Sequence, residues 1–164
     1  MKRDEAQEMI ETLPVPFIVH FRRASTNGGG VSPGLCHPFP IDGNASPALE
    51  GHTKGFVLFH NGNLKDWMFE VKHAALITGT KLPTQKWSDT RGLAFLTHIY
   101  GLGLMEFYPE QRGVAFGPKG TIEIYEGPGW VKINDIWCSN DHFWNISNIM
   151  KMCRDPRCAK TEYL

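Results

Sequence analysis

Asn61 and Gly62 are the residues whose types and spacing best suit chemistry. Asn61 carries two side-chain N–H donors. Gly62 has no Cβ, so its backbone N–H can approach a ligand closely. A side-chain amide beside a backbone N–H makes the donor pair of an oxyanion hole, aimed at charge that develops when a carbonyl is attacked. Both residues follow the apolar run Phe56-Val57-Leu58-Phe59 and then His60. That run is aromatic and β-branched and is bounded by glycines, which predicts a buried strand. Polar groups at the end of a rigid strand are held in place, as chemistry requires. The plainer reading is a strand followed by an Asn-Gly turn, and the stretch taken alone favours that turn.

Other residues offer weaker chemistry. Gly28-Gly29-Gly30 could cradle a phosphate, but no Lys-Ser/Thr pair follows and no helix obviously opens there. Cys36, His37, His52, His60, Cys153 and Cys158 are possible metal ligands, without CxxC or HExxH spacing. No metal or other cofactor is therefore expected. Arg22-Arg23 with Trp130, Trp137 and Trp144 could touch nucleic acid. Tryptophans more often fill a core or an interface, and the charge balance gives no support. Lys plus Arg equals Asp plus Glu, at 17 each, so no overall basic field favours nucleic acid or an anionic membrane.

The elements that must position these groups follow from length and pattern. The 164 residues suffice for one domain with a real core, expected over residues 1–152 with a polar tail at 153–164. No run is long enough for a transmembrane helix, and the N-terminus lacks the apolar core of a signal peptide. Four scattered cysteines suggest a reducing, cytoplasmic compartment. Residues 4–13 predict a helix, stopped by Pro14. Residues 16–22 predict a strand apolar on both faces. A long loop at 28–49 follows, of the kind that often carries function. Helices are predicted over residues 64–76 and from Ser88-Asp89-Thr90 to Gly101, with Asp89 placed to cap or to favour the helix dipole. Strands at 114–116, 121–125, 130–133 and 136–138 predict an antiparallel meander, and a last helix spans 142–152. The pattern predicts an α+β domain.

Four segments then carry a resemblance. His20-Phe21-Arg22-Arg23-Ala24-Ser25, His37-Pro38, His60-Asn61-Gly62 and Ser88-Asp89-Thr90 occur in that order. Together they resemble the class II glutamine amidotransferases, which are N-terminal-nucleophile hydrolases, and especially small stand-alone members, including bacteriophage-encoded ones. The resemblance spans residues 16–140 and implies a layered sandwich of antiparallel sheets with flanking helices. It implies that Arg22 binds the α-carboxylate of glutamine, for which a guanidinium fork is suited. It implies that Asp89 binds the α-ammonium, that Ser25 helps hold the substrate, and that Asn61 and Gly62 form the oxyanion hole. His20, His37 and His60 match family histidines, assigned here to structure.

The chain also departs from that family. The family nucleophile is an N-terminal cysteine with its own amine as base, whereas this chain begins Met1-Lys2 and its first cysteine is Cys36. Arg23 stands where an aromatic is common, and Arg91 where glutamate often follows the SDT segment. The domain therefore reads as N-terminally shortened, with three explanations open: an incomplete amidotransferase, a short form that binds without cleaving, or a nucleophile supplied elsewhere, such as Cys36. The expected reaction, given a nucleophile, is amide hydrolysis releasing ammonia, and the chain as it stands is expected to be inactive. The alternative is a non-enzymatic interaction protein, for instance phage-encoded and acting in the host cytoplasm. There a protein partner or second copy would cover a sheet edge left exposed.

Overall fold

The structure, a computed structural model, describes residues 8, 12–20, 33–47, 50–133 and 136–139. It is an α+β fold made of antiparallel sheets and helices. The chain divides into two compact units, Val19–Pro128 and a second made of Met1–Ile18 with Gly129–Leu164.

The larger unit holds a four-stranded antiparallel sheet in the order β1-β2-β3-β4. These strands are β1 (Phe39–Pro40), β2 (Val57–Asn61), β3 (Arg112–Phe116) and β4 (Ile122–Tyr125). Strand β2 is an inner strand, and its burial alternates along its length. Leu58 and His60 point into the core, while Val57, Phe59 and Asn61 are half-buried. The strand thus runs two residues past the apolar stretch and carries a polar side chain inward. Strand β1 lies inside what reads as a long loop. It pairs Phe39 with Leu58 and Pro40 with Val57. Two residues that include a proline leave no alternation to read, and proline is tolerated there because β1 is an edge.

Two helices cover this sheet's unit, α1 (Trp67–Thr78) and α2 (Asp89–Tyr100). The predicted start of α1 at residue 64 is corrected to Trp67. Asp66 has a left-handed backbone (φ 54°), which cannot continue a right-handed turn. Gly79 ends the helix with φ 68° and returns its N–H to the carbonyl of Ala75. Helix α2 is capped by Ser88, whose Oγ accepts from the Arg91 N–H at 3.2 Å. Residues 90–97 are all buried, so α2 is a core helix rather than a surface one. It packs on α1, β1 and β2. Gly92 permits the close crossing, since a Cβ there would lie 2.6 Å from Cε3 of Trp67. Glycine inside a helix costs about 1 kcal/mol, and the approach of α1 offsets it. Phe39, Leu58, Val71, Leu93 and Phe95 form the centre of the core, each contributing about 1.5–3 kcal/mol by burial.

Arg91 fastens two loops to α2. Its side chain is fully buried, and all five guanidinium N–H groups find oxygen. Nε donates to the Ala45 carbonyl, one terminal nitrogen to the carbonyls of Gln85 and Lys86, and the other to the Asn44 carbonyl and Gln85 Oε1. The guanidinium also lies 4.5 Å over the Trp87 ring. Burial lowers its pKa from the ordinary arginine value.

In the second unit, β5 (Val131–Ile133) and β6 (Ile136–Cys138) pair as a two-stranded antiparallel sheet. The predicted single meander is therefore broken between β4 and β5. Pro128 has no N–H to continue a ladder, and Gly129 takes φ 94°. Trp130 and Trp137 pack edge to face, 6.1 Å apart, and Lys132 lies 5.5 Å over Trp137. These tryptophans thus pack on one another. Of the predicted strand at 16–22, Pro16, Phe17, Ile18, Val19 and His20 enter no ladder, and the rest lies outside the described residues. Glu8 and Thr12 of the predicted helix at 4–13 are helical. The triple glycine, the helix at 142–152 and the tail lie outside the described residues. No helix among the described residues is long and apolar enough to cross a membrane.

Candidate functional site

The end of β2 meets the start of α2, and a directed hydrogen-bond chain joins them. The backbone N–H of His60 donates to Nδ1 of His37 at 3.1 Å. A nitrogen that accepts carries no proton, so neutral His37 holds its proton on Nε2. That Nε2–H donates to Thr90 Oγ1 at 3.1 Å. At the other end, the Glu110 carboxylate can only accept, so the Gln111 Nε2 beside it at 2.9 Å must donate. This turns Gln111 Oε1 toward His60, whose Nε2–H donates to it at 2.9 Å. His60 Nδ1 is then the acceptor for the Thr90 hydroxyl, at 3.1 Å. Every proton in the series His37–Thr90–His60–Gln111 is placed by its neighbours.

Burial favours the neutral form of His60. His60 is 3% exposed and Thr90 2%. Burial pushes the His60 pKa down, against the Gln111 hydrogen bond and the nearby Asp89 charge, which raise it; Arg112 lowers it further. The three histidine rings lie nearly parallel. His20 stacks on His37 with centroids 4.2 Å apart, and His37 is 6.5 Å from His60.

The residues singled out from sequence sit around this chain. Asn61 is the last residue of β2, paired with Arg112, whose Nε donates to the Asn61 carbonyl at 3.4 Å. Gly62 follows on the surface. Asp89 opens α2, half-buried; Oδ1 accepts from the Thr90 N–H at 2.8 Å and Oδ2 from the Leu64 N–H at 3.4 Å. Asp89 is therefore tied to the turn that follows Asn61 and Gly62. A carboxylate has about four lone-pair positions, so these two bonds leave room for a cation. Arg22 and Ser25 lie outside the described residues. Cys36 is half-buried. Among the described residues, no cluster of three or more His, Cys, Asp or Glu could hold a metal ion.

Sequence reasoning missed Gln111 and Glu110, and gave Thr90 no task of its own. Thr90 was within the SDT segment and could have been weighed. Gln111 is 51 positions from His60, and only the β2–β3 register, His60 opposite Gly113, brings it near. No protein-family model, curated protein or solved structure matches the chain.

Proposed function

We propose that the turn after β2, together with Asp89, binds an amide-bearing amino acid, glutamine first among them, in a class II glutamine amidotransferase-like domain built on an N-terminal-nucleophile sandwich. The observation that supports it is the meeting of three of the four sequence segments. His37, His60 and Thr90 share one hydrogen-bonded chain. In this reading Asp89 takes the α-ammonium and Arg22 the α-carboxylate, so the ligand is recognised by its two opposite charges. Asn61 and the Gly62 N–H face the side-chain amide oxygen, and Ser25 adds a hydroxyl contact. A nucleophile presented there would attack the amide carbon, and collapse of the oxyanion would expel ammonia. Binding, rather than turnover, is the property claimed for this chain.

Nuclear magnetic resonance of the labelled protein tests it. Glutamine should shift the backbone amides of Gly62, Asn63, Leu64 and Thr90. Shifts confined to other regions, such as α1, would contradict the site.

A second reading is favoured by one observation. Phe69, Leu76 and Ile77 on α1 are 72%, 80% and 66% exposed. Apolar side chains that share a helix face and stay this open suit a partner-binding role, as expected of a non-enzymatic interaction protein.

A further inference from the structure

We infer that Gln111 is a positioning residue for the Asn61–Gly62 donor pair, and that it sets preference for a ligand bearing a side-chain amide. This rests on the reading of the site given above. A Cβ built on Gly62 would lie 2.0 Å from Gln111 Oε1 and 3.0 Å from its Cδ. The Gln111 carboxamide therefore occupies the space that any other residue at position 62 would need. That carboxamide is itself fixed at both ends of the turn. Oε1 accepts from His60 Nε2 at 2.9 Å, before Gly62, and Nε2 donates to the Asn63 carbonyl at 3.4 Å, after it. Nε2 also donates to Glu110 at 2.9 Å.

Gln111 is 5% exposed, so solvent cannot readily replace these bonds. The turn has glycine at its centre, the residue with the widest backbone freedom. A donor pair is useful only when it is held at 2.7–3.1 Å from the ligand oxygen, and small displacements weaken it. Gln111 removes that freedom from behind, by contact with Gly62 and by bonds to the residues on either side. Asp89 lies on a different element, α2, and its carboxylate is held by Thr90 and Leu64 rather than by Gln111. Loss of Gln111 should therefore disturb amide recognition and leave ammonium recognition intact.

Calorimetric titration with glutamine and with norvaline separates the two. Norvaline keeps the ammonium, the carboxylate and the chain length but lacks the amide. The wild-type protein should prefer glutamine. In Gln111→Ala that preference should fall about tenfold toward equality, with norvaline affinity unchanged. Gln111→Glu keeps the acceptor for His60 and loses the donor to Asn63, so it should fall between. Gly62→Ala, which pushes the carboxamide from the other side, should lower the preference as well. Variants that keep the wild-type preference, or lose both ligands together, overturn the positioning role alone. Equal binding of both ligands by the wild-type protein also overturns it. Absence of glutamine binding by the folded wild-type protein overturns the reading of the site, and this inference with it.

Discussion

Replacing Thr90 by valine and by serine separates its hydroxyl from its methyl. Thr90→Val keeps shape and branching but removes the hydroxyl that accepts from His37 Nε2 and donates to His60 Nδ1. Thr90 is 2% exposed, so water cannot readily take the place of its hydroxyl between the two rings. Each ring nitrogen left without a partner costs about 1–3 kcal/mol. The extra buried methyl returns about 1 kcal/mol. The net loss should be about 1–5 kcal/mol, or roughly 2–20 °C in melting temperature for a chain of this size. Thr90→Ser keeps both hydrogen bonds and loses one methyl, about 1 kcal/mol. Thr and Val have similar helix propensities, and both variants retain the Thr90 N–H bond to Asp89. Urea unfolding of the three proteins with equal m-values is the assay. The directed chain is refuted if serine destabilises as much as valine, or if valine is neutral. Long-range proton–nitrogen spectra should also show the Nε2–H tautomer for both His37 and His60.

Three further predictions follow from the same geometry. Gly62→Ala should cost about 2–3 kcal/mol by forcing Gln111 off His60, and most of that cost should vanish in a Gln111→Ala background, as a double-mutant cycle in urea would reveal. Because burial holds the His60 pKa below its unfolded value, the unfolded chain binds a proton first as pH falls. Stability should be level above about pH 6.5 and decline below it, down to the folded pKa, with a slope of at most about 1.4 kcal/mol per pH unit from this group; His60→Gln should remove that share of the slope in pH-dependent unfolding. Arg91→Lys should lose about 2–4 kcal/mol, since three donors cannot serve oxygens from Asn44, Ala45, Gln85 and Lys86, and thermal melts would register it.

Much of the fold was legible where the controlling forces are local. Alternation marked β4, a turn-bounded apolar run marked β2, and Ser88 with Gly101 bounded α2. The rest depended on partners distant in sequence. Strand β1 exists because Val57 and Leu58 offer it a ladder. The left-handed Asp66 carries no composition that would announce it. Arg91 appeared only as a departure from a motif, and its five acceptors come from two loops that no pattern predicts. At the site, Asn61, Gly62 and Asp89 could be named from residue type and order. Gln111 could not, because its place beside His60 depends on strand register, which a sequence does not show. On α1 the helical spacing does not announce that Phe69, Leu76 and Ile77 face outward, while Val71, Ala74 and Ala75 are buried.

Calorimetric titration of glutamine into the wild-type protein and into Asp89→Asn tests the central claim most directly. Asparagine preserves the shape of the side chain and an acceptor for the Thr90 N–H, and removes the charge together with the weaker acceptor for the Leu64 N–H at 3.4 Å. A saturating heat in the wild-type protein, weakened about 10- to 100-fold in the variant, is the predicted result, as a charge-assisted bond of about 1.5–3 kcal/mol requires. No binding by the folded wild-type protein, or equal binding by the two proteins, would contradict the amino-acid site.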